Sequence, residues 1–216
     1  MNAAHDISFV IKICGITNEE DAKLAIEAGA NALGFNFYSG SPRYIKPARA
    51  REIVQAVQTP FLKVGVFVSA TEEQLANAAA QVPLDVLQLH GDNCSTRFPR
   101  SYRVWKSIVA EDAAADTKAG TAMAGIVEAY VLDAPSPHFG GSGKSFDWSL
   151  AASFAYRKII AGGLDSTNVA DAIRTAQPWG VDACSRLEAS PGKKDGQRIR
   201  DFVNAVIAAR PQEIAL

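Results

Sequence analysis

Short runs of β-branched and aromatic residues recur along this chain, each followed by a polar turn and a stretch with apolar residues at helical spacing. The runs fall at 9–13, 32–37, 62–68, 86–90, 103–107, 129–133, 157–161 and 181–184. Helical spacing follows at 19–29, 48–57, 72–81, from about 95, 111–119, from 149, 166–176 and 198–209. Start and stop signals support these bounds. Thr17 or Asn18 can cap the first helix, whose opening Glu19, Glu20 and Asp21 suit its N-terminal dipole, and Gly29 ends it. Pro47 stands where the second helix begins.

Eight strand–helix units predict a parallel sheet with right-handed crossovers. Over 216 residues they fit a closed (β/α)8 barrel near the small end of its size range. A doubly wound open sheet is the alternative, but it calls for Gly-x-Gly-x-x-Gly after the first strand. The chain has Cys14-Gly15-Ile16-Thr17-Asn18-Glu19 there. No linker, low-complexity tract or charge run divides the chain, so residues 1–216 are expected to form one α/β barrel domain.

Composition removes several function classes. A formal charge of −1 lacks the basic stripe of a nucleic-acid binder. No apolar run reaches the roughly 18–20 residues of a membrane span, and no signal peptide is visible at the N-terminus. The three cysteines, at 14, 94 and 184, suit reduced thiols rather than a disulfide framework or a metal site. A cytoplasmic protein that uses no metal is the expectation.

Barrel geometry turns strand order into neighbourhood, since residues two apart share a face. Cys14 ends the first strand with Lys12 on the same face, Gln88 and His90 share a face on the fourth, and Asp133 ends the sixth. Lys106 comes late in the fifth and Asp182 late in the eighth. Polar residues of otherwise apolar strands therefore gather at one mouth, the face where barrel enzymes work. Taken singly, Cys14 reads equally well as a small buried hydrophobe. Gly162-Gly163 after the seventh strand suits close approach of backbone to an anion. The segment Pro137 to Lys144 has the make-up of a glycine-rich lid, with a spacing that excludes a Walker A loop.

Several segments resemble one family. Lys12-Ile13-Cys14-Gly15-Ile16-Thr17, Gly34-Phe35 with Ser41-Pro42-Arg43-Tyr44-Ile45, and Val64-Gly65-Val66-Phe67-Val68 are similar to phosphoribosylanthranilate isomerases. So are Gln88-Leu89-His90-Gly91, Leu132-Asp133, Gly140 to Trp148, Gly162-Gly163-Leu164 and Pro191 to Asp195. The resemblance spans nearly the whole chain in order. It implies a (β/α)8 barrel of tryptophan biosynthesis that performs an Amadori rearrangement without a cofactor. By that likeness Cys14 is the general base and Asp133 the general acid. A thiol serves as base only as thiolate, which Lys12 would favour, and a carboxyl serves as acid only if burial raises its pKa. Arg43 would hold the anthranilate carboxylate, and His90 and Asp182 would line the substrate. Gly162, Gly163, Ser185 and Arg186 would hold the phosphate. The expected partner is a small phosphorylated molecule, with no nucleic acid or membrane, for a monomer or homodimer.

The chain departs from the family after the eighth strand, reading Cys184-Ser185-Arg186 where Ser-Ser-Gly is usual. If that position needed φ > 0, Arg186 would carry strain of about 1–3 kcal/mol; it could also donate to phosphate. Closure would put Cys14 and Cys184 on adjacent strands, and stagger or side-chain direction is expected to keep them from disulfide geometry. Other readings are weaker. A related imidazole-pathway isomerase would have aspartate at Cys14, and a cysteine hydrolase would need an orienting histidine, for which only His90 lies on a strand end. A non-catalytic barrel would bind phosphate without turnover.

Overall fold

A computed structural model describes residues 7–91, 102–111, 125–135 and 145–211. Among them run β1 (Val10–Cys14), β2 (Ala32–Asn36), β3 (Leu62–Val68), β4 (Val86–His90), β5 (Arg103–Val109), β6 (Ala129–Asp133), β7 (Lys158–Ile160) and β8 (Gly180–Ala183). They pair in chain order and close into a barrel. The closing seam is parallel, with Lys12 opposite Asp182 and Ile13 opposite Ala183. The described helices are α1 (Glu19–Ala28), α2 (Pro47–Ala56), α3 (Glu72–Gln81), α4 (Ser149–Ala152), α5 (Val169–Ala176) and α6 (Gly196–Ala209). The helices expected near 95 and over 111–119, the lid at 137–144, Cys94 and His138 lie outside the described residues.

Alternation sorts the strands into two packed layers. Val10, Ala32, Val64, Val86, Trp105, Val131 and Ile159 pack together as the apolar interior of the barrel. Their sequence neighbours, among them Ile11, Leu33, Leu87, Leu132 and Val181, face outward and pack with α1, α5 and α6 residues such as Ala22, Ile173 and Phe202.

Helix ends follow the sequence signals. Asn18 caps α1 by accepting from Asp21 N at 2.8 Å, and Gly29 closes it at φ 109°. Helix α5 begins three residues later than the pattern suggests, because residues 165–168 are a turn. There Asp165 accepts from Thr167 N at 2.8 Å and Asn168 accepts from Asp165 N at 2.9 Å. The periodic pattern also gives no hint of a two-stranded hairpin after β8, made of β9 (Glu188–Ser190) and β10 (Lys193–Lys194). Its turn is Pro191-Gly192, with Gly192 at φ 81°. Asp21 of α1 accepts from Lys194 N at 2.8 Å, and Thr17 bonds Gly192 O, so the hairpin is tied down beside the end of β1.

Candidate active site

The barrel interior changes character along its axis. Val10, Val86, Trp105 and Val131 fill the lower part. One step up, Lys12, Gln88, Ser107 and Asp182 are polar and buried. The next step, at the C-terminal ends of the strands, carries Cys14, His90 and Asp133, with Cys184 just past β8. The structure thus brings together the side chains that strand position predicts, with one difference. Lys106 alternates with the interior residues Trp105 and Ser107, so it leaves its strand on the outer face, and its ammonium donates to Gly91 O at 2.8 Å.

Beneath the mouth, Lys12 Nζ donates to Asp182 Oδ2 at 2.6 Å across the β1–β8 seam, with neither side chain more than 7% exposed. Burial opposes the Lys12 charge, but Asp182 and Cys14 beside it outweigh that and hold it above the ordinary lysine value. Burial raises the Asp182 carboxyl, with Lys12 pulling the other way. Asp182 Oδ1 and Gln88 Oε1 have no hydrogen-bond partner among the described residues. Gln88 Nε2 lies 3.1 Å from His90 Nε2 and 3.1 Å from Ser107 Oγ. His90 is neutral: burial, then the charges of Lys12 and Lys106, lower its pKa to about 3.

The two thiols at the seam are free and lie side by side at the ends of adjacent strands. No disulfide joins them, in keeping with the expectation from stagger and side-chain direction. Cys14 also takes a hydrogen bond from Lys12. Lys194 Nζ lies 3.8 Å from Cys184 Sγ, 3.2 Å from Cys184 O and 3.1 Å from Glu188 Oε1. The consequence runs against the simple idea that Lys12 makes Cys14 the thiolate. Its bond with Cys184, and then burial, push the Cys14 thiol well above its usual range despite Lys12. The bond with Cys14, followed by the charges of Lys194 and Arg43, draws Cys184 down to about 6 against burial.

Asp133 sits across the mouth in different surroundings. Burial, with Asp182 as a second negative charge, pushes its carboxyl up to about 6. Its Oδ1 accepts from Ala134 N at 2.8 Å. Gly162, at φ 82°, makes room for it: a Cβ there would lie 2.6 Å from Asp133 Oδ1 and 2.8 Å from Ala134 N. Only glycine tolerates both that φ and that approach. Gly163 follows at φ 59°, its carbonyl accepting from Asn168 Nδ2 at 2.8 Å.

The two arginines sit in ion pairs at the rim of the mouth. Arg43 forks onto Glu188, with Nε at 2.9 Å from Oε1 and Nη2 at 2.8 Å from Oε2. Arg186 lies with Ser185 in a single 3-10 turn, and the non-glycine residues with positive φ in the described chain are Ser69 and Gln177. The strain expected at Arg186 is therefore absent. Its guanidinium pairs with Asp165 Oδ2 at 2.6 Å, joining the loop after β8 to the loop after β7.

Glu188 and Lys194 were missed by sequence reasoning, since charged residues flanking a Pro-Gly turn read as a solvated hairpin. Glu188 is 6% exposed and Lys194 4%. The available signal was the Pro-Gly turn itself, which folds the strand pair back onto the mouth.

Closed parallel strands around a polar C-terminal mouth, with a cation-flanked thiol pair and a buried carboxyl, define a (β/α)8 barrel with its polar groups at the face where barrel enzymes work. Comparison makes the class particular. The sequence model for N-(5'phosphoribosyl)anthranilate (PRA) isomerase matches residues 11–205. An N-(5'-phosphoribosyl)anthranilate isomerase of Solibacter usitatus is 45% identical over 202 residues, covering 93% of this chain and 98% of the relative. That of Acidithiobacillus ferrooxidans is 42% identical, covering 91% and 96%. The solved phosphoribosyl anthranilate isomerase of Thermotoga maritima superposes with a TM-score of 0.80 at 37% identity, covering 93% and 99%. Another, solved with reduced 1-(o-carboxyphenylamino)-1-deoxyribulose 5-phosphate, gives 0.76 at 33% identity, covering 93% and 99%. The chain belongs to the phosphoribosylanthranilate isomerase family, isomerases of tryptophan biosynthesis.

Proposed function

We propose that this barrel converts N-(5-phosphoribosyl)anthranilate to 1-(2-carboxyphenylamino)-1-deoxyribulose 5-phosphate by general acid and base catalysis, with no cofactor. Asp133 donates its proton to the ribose ring oxygen, and the ring opens to an iminium. Cys14 then takes the proton from the adjacent sugar carbon, and the enolamine formed tautomerises to the ketone. The observation that carries this reading is the placement of Cys14 and Asp133 at the C-terminal ends of β1 and β6 around one mouth, with burial raising the Asp133 carboxyl so that it can carry a proton.

Arg43, its plane fixed by Glu188, takes the anthranilate carboxylate. Asp182 and His90 line the sugar, the former with Oδ1 still lacking a partner among the described residues. Gly162, Gly163, Ser185 and Arg186 form the phosphate end, with Arg186 clamping its two loops through Asp165. All these side chains belong to one barrel, so a monomer or a homodimer carries the same site. Free thiols and a biosynthetic reaction support a cytoplasmic location.

The test is loss of anthranilate-type fluorescence when enzyme meets freshly made phosphoribosylanthranilate. Cys14→Ala and Asp133→Asn should each lower turnover by at least about 10²-fold, the scale of losing a base or acid. Wild-type turnover in either variant removes that residue from its role.

A further inference from the structure

The reaction needs one base, yet two sulfurs meet at the seam. Their contact follows from register. Ile13 pairs with Ala183, so Cys14 and Cys184 are the next partners up, on parallel neighbours about 4.8 Å apart. Both sulfurs are packed in place: a Cβ built on Gly34 would lie 2.7 Å from Cys14 Sγ, and one on Gly15 would lie 3.0 Å from Cys184 Sγ.

The charges around the pair come from every neighbouring element. Lys12 and Asp182 face it from β1 and β8, Arg43 from the loop after β2, and Glu188 and Lys194 from the hairpin. With these groups ionised, three cations meet two carboxylates. The surplus is a single positive charge, which one thiolate neutralises and two would overshoot. Two sulfurs in contact with room for one negative charge hold one proton between them.

We propose that Cys184 is a positioning residue of the base: the Cys14 and Cys184 sulfurs share one proton, and Cys184 takes it from Cys14 to leave Cys14 as the thiolate that meets substrate. This rests on the reading of Cys14 as base. The balance is simple. The pair starts with one proton, holds two after Cys14 accepts the proton from the sugar carbon, and returns one as the enolamine is protonated on the neighbouring carbon. No electron moves. Lys194 Nζ, 3.8 Å from Cys184 Sγ, and Arg43 favour negative charge at Cys184, and a proton hop between the neighbouring sulfurs delivers that charge to Cys14.

The experiment measures kcat/KM against pH for the wild type, Cys184→Ser and Cys184→Ala, together with ultraviolet titration of thiolate and thermal unfolding. The acid limb of Cys184→Ser should move up by at least about one pH unit, so activity on that limb falls about tenfold, while the curves converge at alkaline pH. The low step of the thiolate titration should vanish with it. Titration of the substrate phosphate is common to all variants and cancels in the difference. Reciprocally, Cys14→Ser should raise the titration of Cys184, a readout that needs no turnover. An unmoved acid limb, a uniform fall at every pH, or a Cys184 titration indifferent to Cys14→Ser overturns the shared proton. Turnover retained in Cys14→Ala would instead remove the base assignment itself.

Discussion

The two sides of the mouth solve opposite problems by opposite means. At the β1–β8 seam, Lys12, Asp182, Arg43, Glu188 and Lys194 are interlocked by ion pairs around two sulfurs. At β6, Asp133 has a hydrogen bond from Ala134 N, a half-buried position and another carboxylate nearby. A thiol must be helped to lose its proton, so cations surround it. A carboxyl must be made to keep its proton, so burial and the Asp182 charge outweigh the pull of Lys12 and of the Ala134 N–H, and Gly162 packs against it. The difference teaches that burial alone is neutral in purpose; what is buried alongside decides which protonation state survives.

The seam can be broken most severely from below. Lys12→Met leaves Asp182 uncompensated in a dry interior and should cost about 3–5 kcal/mol, the scale of removing one partner of a buried pair. Denaturant unfolding of the variant measures it, and a loss under 1 kcal/mol would mean water reaches the pair. At the rim of the same side, Arg43→Ala should weaken anthranilate-bearing ligands by about 1.5–3 kcal/mol while sparing ribose-phosphate analogues. Calorimetry with both ligand sets decides; equal weakening would show that Arg43 acts through Glu188 on the whole mouth.

The acid side should respond to pH in the other direction. The folded pKa of Asp133 is raised from 3.8 to about 6. Its contribution to stability is therefore fully present below the unfolded value and is lost as pH rises through about 6. Asp133→Asn removes that loss, so at neutral pH the variant should be more stable than wild type by up to about 3 kcal/mol, with no such gain below pH 4. Thermal unfolding at the two pH values tests it. The smallest effect belongs to the loop clamp. Arg186→Ala breaks an ion pair with Asp165 whose arginine is 41% exposed, and should cost under about 1 kcal/mol of stability. A larger loss of phosphate affinity would reveal that the clamp sets loop spacing.

Much of this contrast was legible in the chain. Strand alternation with period two placed Lys12, Cys14, Gln88, His90, Asp133 and Asp182 on one interior face, because a closed sheet admits only two faces. Lys106 was misplaced since its strand runs on to Val109, and its reach to Gly91 comes from a long flexible stem. The environment of the thiols was not legible. Glu188 and Lys194 look like surface charges until the hairpin folds back, and their burial depends on neutralising each other. Periodicity carries no record of a pairing made across a turn. Arg186 misled for a related reason: its place in a 3-10 turn is set by the tertiary path of the loop rather than by local preference.

The buried pair at the seam has a consequence for how the molecule is made. Lys12 and Asp182 are 170 residues apart, near the first and last strands of the barrel. While the chain is being synthesised, Lys12 emerges early and its carboxylate partner almost last. Until β8 arrives, the ammonium keeps its hydration and the barrel cannot dry or close. The thiol from β8 arrives with it, so an unfinished chain lacks both the final clasp and its second sulfur. Such a chain stays open to proteases and chaperones, and premature termination leaves no competent remnant. The ion pair thus acts as a receipt of completion, stamped when the last strand docks.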